Sequence, residues 1–184
     1  MEVKVSIMAK NKILVGVDGS EHNKLVIDKA AEFAKSEETE MFLVHAITPH
    51  ALSEQELVYA QERCGSEFSR RLLDSGLPPF PIEENDERRS VYQYMQAREA
   101  FNQVYADDVL KRAQDQLRER GIVNIKTIIE NDEPSNAILK TAELEDVDLI
   151  IIGRGNHNIL TDFFLGSTAQ KVLQKTKRTV LTVT

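Results

Sequence analysis

The chain has 184 residues, which suits one domain, or one domain plus an insertion. Its 41% hydrophobic and 29% charged residues match soluble globular usage and argue against collagen-like, disordered and disulfide-stapled classes. With 23 Lys and Arg against 30 Asp and Glu, the net charge of −7 has the wrong sign for a phosphate backbone or an anionic membrane, so neither nucleic acid nor membrane is an expected partner.

A single cysteine, Cys64, can make neither an internal disulfide nor a Cys cluster for a metal, which fits a reducing compartment and makes the cytoplasm the expected location. No run approaches the roughly 18 apolar residues of a membrane-spanning helix. The first ten residues also lack the apolar core of a signal peptide. Val3, Val5 and Ile7 alternate with Glu2, Lys4 and Ser6 as in a short edge strand, and Met8 reads equally as an alternative translation start. Residues 1–11 are set aside as an N-terminal extension.

Ile13 to Val17 is a short β-branched apolar run that stops at Asp18-Gly19-Ser20, the pattern of a strand buried on both faces. Val26, Ala30, Phe33 and Ala34 then fall on one helical stripe, closed by polar Glu37-Glu38-Thr39. Met41 to Ile47 predicts the second strand and completes a right-handed crossover unit.

About fifty residues separate that strand from the next core helix, where two to six is usual, so 50–95 reads as an insertion. Ser53-x-x-Glu56 makes a capping box ahead of Leu57, Ala60, Cys64, Phe68 and Leu72 on one helical face, where Cys64 reads as buried and inert. Gly76 to Pro81 and the charge run Glu83 to Arg89 read as an extended, solvated connection. Tyr92, Tyr94 and Met95 either pack this stretch down or begin the following helix early.

That helix is carried by Ala106, Val109, Leu110, Ala113 and Leu117 and ends on Arg120-Gly121. Ile125 to Ile129 is a third strand, and Pro134 opens a helix that buries Ile138, Thr141 and Ala142. Val147 to Ile152 is a fourth strand, Leu165, Ala169, Val172, Leu173 and Thr176 mark a last helix face, and Thr179 to Val183 is a fifth strand. Strands alternating with helices predict an α/β fold: one Rossmann-like domain with a five-stranded parallel doubly wound sheet, helices on both faces, and a core at about 12–49 and 96–184.

In such a sheet, ligands bind outside the carboxyl ends of the strands, where the strand order reverses. The candidates are therefore Asp18-Gly19-Ser20, His45-Ala46-Ile47 and the stretch from Gly153 to Thr168. Gly153, Gly155 and then Gly166-Ser167-Thr168 opening a helix put flexible backbone and unpaired N–H donors together, an expected seat for phosphate. There is no Gly-Lys-Ser/Thr triplet of a Walker loop. The dinucleotide fingerprint is imitated only by Gly153-x-Gly155, with Asn158 where its third glycine belongs.

This arrangement resembles the universal stress protein family, whose signature is Gly, two residues, Gly, nine residues, Gly and then Ser or Thr, between the fourth strand and the last helix. Gly153 and Gly166-Ser167 stand at the required separation, with Asn156 in place of the middle glycine. Ile13 to Ser20, Val44-His45-Ala46, Asp148-Leu149-Ile150 and Thr179-Val180-Leu181 extend the resemblance over about Lys12 to Thr184, apart from 50–95. It implies that Asp18 and the backbone at Ala46 hold the adenine end of ATP or another adenine nucleotide, with or without Mg. It implies further that the backbone of Gly153, Arg154, Gly155 and Asn156 holds ribose and phosphate, and that Gly166, Ser167 and Thr168 bind the phosphates. The implied role is a cytoplasmic stress-response sensor or regulator, homodimeric through the last strand, Thr179 to Val183.

The residues leave alternatives open. Asn tolerates a left-handed backbone, so the turn at Asn156 survives the missing glycine, yet its side chain stands where the family has a hydrogen. A nucleotide-free dimeric interaction module, its pocket closed by Asn156 and its insertion meeting a protein partner, is the competing reading. Asp18 also reads as a loop cap, Gly166-Ser167 as a plain turn and N-cap, and Arg154 and His157 as solvated side chains or phosphate partners. His45 reads as a hydrogen-bonded core histidine. There is no Gly-x-Ser-x-Gly elbow and no His-Glu-x-x-His, so slow hydrolysis of a bound nucleotide is the most catalysis expected.

Overall fold

A computed structural model describes residues 11–20, 22–34, 39–48, 87–155 and 165–184; for 87–97 and 100 it describes the backbone alone. In chain order the elements are β1 (Lys12–Gly16), α1 (Asn23–Phe33), β2 (Glu40–Ala46), α2 (Glu87–Glu119), β3 (Ile125–Glu130), α3 (Pro134–Leu144), β4 (Leu149–Gly153), α4 (Ser167–Lys175) and β5 (Thr179–Val183). The strands form one sheet in the order β3-β2-β1-β4-β5, every pair parallel. This is the five-stranded α/β sheet expected from the alternation of apolar runs and helical stripes.

Strand alternation sends neighbouring residues to opposite faces, and both faces are covered. Ile13, Val15, Met41, Leu43 and Ile151 pack under α1 and α2, against Val26, Ile27, Ala30, Val109, Leu110, Ala113 and Leu117. Leu14, Phe42, Val44, Ile150 and Ile152 pack under α3 and α4, against Ala137, Ile138, Ala142, Ala169 and Val172. Burying each of the Val, Leu, Ile, Met and Phe side chains among these contributes about 1.5–3 kcal/mol, so the central strands anchor the fold.

Two expectations need correction. Glu87, Arg88 and Arg89 were expected in a solvated connection but form the first turn of α2. Nothing between Glu87 and Glu119 is Gly or Pro, and a glutamate in the first turn suits the positive end of the helix dipole. Leu165 and Leu173 were expected on the buried face of the last helix, yet they are 37% and 42% exposed. Ala169 and Val172 alone carry the burial of α4, because a nine-residue helix flanking the sheet edge presents only a narrow stripe to it.

The predicted helix from Ser53 to Leu72, Cys64, the segment ahead of Asn11, Asn156 and His157 all lie outside the described residues.

Candidate functional site

The chain leaves β1 for β2 and β3 on one side and returns to β4 on the other, so the strand order reverses between β1 and β4. A cavity of about 340 Å³ opens at the carboxyl ends of those two strands. Its floor is tight at Gly16: a Cβ there would come within 3.0 Å of Ile152 Cγ2 and 3.2 Å of Ile138 Cδ1, so those side chains would have to give way.

One part of the wall is apolar. Val17, Val44, Ala46 and Ile152 come from strand ends, and Pro134, Ala137 and Ile138 come from the first turns of α3. Pro134 begins that helix without an N–H, so this wall offers an aromatic ring a flat, dry surface and few competing donors. The other part is polar backbone: Gly153, Arg154 and Gly155 after β4, and Gly166, Ser167 and Thr168 at the start of α4. Gly166 is the N-cap of α4, with no side-chain capping bond and no acidic residue in the first turn. The first N–H groups of that helix therefore face the cavity with the positive end of the dipole, and no acidic side chain among the described residues caps them.

Two glycines here are required by backbone contact. Gly155 has φ +94°, and a Cβ there would stand 3.1 Å from Gly166 Cα. A Cβ on Gly166 would stand 2.8 Å from the Arg154 carbonyl oxygen, which accepts the Gly166 N–H at 2.7 Å. Gly153 differs: among the described residues a Cβ there would meet only Val26 Cγ2, at an ordinary 3.5 Å.

Asp18 is the only carboxylate on the described wall. Its Oδ1 accepts the Ser20 N–H at 3.0 Å, so it does cap its own loop while lining the cavity. His45 is the expected core histidine: it is buried, with Nδ1 donating to the Val17 carbonyl at 2.8 Å. Burial holds its pKa below the ordinary value, against the opposing pulls of that hydrogen bond and of the Asp18 charge.

Of the residues singled out from the sequence, Asp18, Ala46, Gly153, Arg154, Gly155, Gly166, Ser167 and Thr168 all line this one cavity, and Asn156 lies outside the described residues. Sequence reasoning missed the α3 wall and the start of α1, where His22, Asn23 and Val26 also line the cavity. It missed Tyr105 too, whose signal was the aromatic pair Phe101 and Tyr105, four residues apart on one helix face.

The sequence matches the profile of the Universal stress protein family over residues 10–73 and 78–184. The chain belongs to the universal stress protein family. The match enters the 50–95 segment from both sides, so it reaches further than the motifs in the core. Universal stress protein YxiE of Bacillus subtilis is 27% identical over 178 residues, covering 94% of this chain and 98% of the relative. The fold is shared with a universal stress protein solved in complex with cAMP, at a TM-score of 0.56 and 18% identity over 96% of this chain and 98% of that one. It is shared likewise with the Archaeoglobus fulgidus universal stress protein solved in complex with dAMP, at a TM-score of 0.55 and 18% identity over 96% and 100%.

Proposed function

We propose that this universal stress protein binds ATP or a related adenine nucleotide in the cavity between β1 and β4, and acts as a homodimeric cytoplasmic sensor or regulator in the stress response. The observation that carries the reading is the start of α4, capped by no side chain among the described residues, which faces a glycine-lined loop across a cavity whose other wall is apolar. Phosphate suits the first and a purine ring the second. The cAMP and dAMP complexes of relatives with this fold support the same ligand class. Charge-assisted hydrogen bonds contribute about 1.5–3 kcal/mol each, so two or three donors at Ser167 and Thr168 suffice for useful affinity. A Mg ion arriving with the nucleotide would be held chiefly by phosphate oxygens and water, because the described wall supplies one carboxylate.

The test combines mass spectrometry of nucleotide copurified with the protein and calorimetric titration with ATP. Ser167→Asp separates this reading from a plain helix cap. A carboxylate in the first turn should stabilise α4 by about 0.3–1 kcal/mol while repelling phosphate, so the melting temperature holds or rises and ATP affinity falls about tenfold or more. No copurified nucleotide, together with no titratable binding below about millimolar, overturns the proposal.

A further inference from the structure

The turn that carries Asp18 is held from behind, by residues that do not line the cavity. Gly19 has φ +78°, and a Cβ there would stand 2.5 Å from Tyr105 Oη and 2.7 Å from Val109 Cγ2. The tyrosine hydroxyl thus occupies the space that a side chain at Gly19 would take. The same hydroxyl donates to the Asp18 carbonyl across a long 3.4 Å. The Tyr105 ring stacks against Phe101, with centroids 5.9 Å apart, and meets His45 edge-on at 5.7 Å. Phe101 is 2% exposed and His45 holds the Val17 carbonyl, so the tyrosine is braced on both sides. On the cavity side the Asp18 carboxylate closes the turn onto the Ser20 N–H.

The geometry points to Tyr105 as a positioning residue: seated in the gap at Gly19, it fixes the Asp18 turn and so sets how the nucleotide site presents that carboxylate. The inference rests on the nucleotide reading above. By reciprocity, occupancy of the site is felt at Tyr105.

Tyr105→Phe keeps the ring and both aromatic contacts and removes only the hydroxyl. The experiment is a cycle of ATP titrations on the full chain with Tyr105→Phe, Asp18→Asn and the pair. Tyr105→Phe should leave the melting temperature unchanged and weaken ATP binding about threefold to tenfold, the loss of one hydrogen bond's worth of placement. In the Asp18→Asn background the same change should have little further effect, because the group being positioned is gone. Unaltered affinity in Tyr105→Phe, or an equal loss in both backgrounds, overturns the role. Failure of the wild type to bind ATP would instead overturn the nucleotide reading, and the positioning role is then read without ligand. The Ser20 amide proton resonance, set by the Asp18 carboxylate, should shift in Tyr105→Phe, and an unmoved resonance refutes the positioning. Should that variant fail to fold, the wild-type chain labelled with 3-fluorotyrosine decides: the Tyr105 resonance moves on adding ATP, or the coupling is absent.

Discussion

Gly153 and Gly166 both belong to the sequence signature and Gly155 stands beside its Asn156, but the backbone gives the three glycines different duties. Gly155 and Gly166 let the loop after β4 and the start of α4 touch through main chain, and a methyl at Gly166 would press on the Arg154 carbonyl at 2.8 Å. Gly166→Ala is therefore expected to lower stability with or without ligand, and a lost affinity in that variant says nothing about phosphate. Gly153 has no such neighbour among the described residues, so its bareness serves the open cavity. Gly153→Ala should hold or raise stability by up to about 1 kcal/mol through the unfolded state while weakening ATP binding, as thermal unfolding and calorimetry would show. Full affinity in a well-folded Gly153→Ala would remove that position from the site. His45 carries a pH dependence. Burial holds its folded pKa below the 6.5 of an unfolded chain, so above 6.5 both states are neutral and this residue adds no pH dependence. Below 6.5 the unfolded chain takes up the proton first, and stability falls with pH until the folded pKa is passed. The nearby Asp18 charge opposes the shift but does not reverse it. Urea unfolding at pH 7.5 and 5.5 should show this loss in the wild type and less of it in His45→Asn, whose amide still offers a donor to the Val17 carbonyl. Equal acid sensitivity in both would assign the effect elsewhere.

At the scale of elements, what was legible is what depends on local pattern. The apolar runs of β1, β2 and β4 and the stripe Ala106, Val109, Leu110, Ala113 and Leu117 are buried as their spacing demands. The cavity's strand-end residues were legible for a related reason: parallel crossovers bring every strand's carboxyl end to the same edge, so Asp18, Ala46 and Gly153 had to meet. The start of α2 at Glu87 was harder to read. A charge run has no apolar period, and the absence of Gly and Pro, rather than any stripe, is what lets the helix continue through it. The α3 wall was also hidden, because Pro134, Ala137 and Ile138 show helix and burial in sequence but not which crevice they border. Tyr105 was invisible for the converse reason. Its duty is defined by a gap at Gly19, 86 residues away along the chain, and a missing Cβ leaves no trace of who fills it.

For the whole molecule, the open question is what covers the outer side of β5. Among the described residues the strand pairs only with β4, which leaves its other edge for a partner. An unpaired strand edge of this kind invites another strand, and a two-fold axis would place a second β5 antiparallel to the first. The register identifies the groups involved. The Val183 carbonyl accepts the Arg154 N–H at 2.8 Å, so Val183 turns its main-chain polar groups toward β4. Alternation then turns those of Val180 and Thr182 outward. Thr182→Pro removes one outward N–H and none that β4 uses, a substitution that an edge strand tolerates within a monomer but not across a pairing. Light scattering after size exclusion should give the wild type twice the chain mass of 20.8 kDa and Thr182→Pro close to that mass itself. The variant's far-ultraviolet circular dichroism should match the wild type, which would separate lost pairing from lost folding. A wild type at the single-chain mass would refute the dimer, and a Thr182→Pro protein that stays at twice the mass would move the interface away from β5.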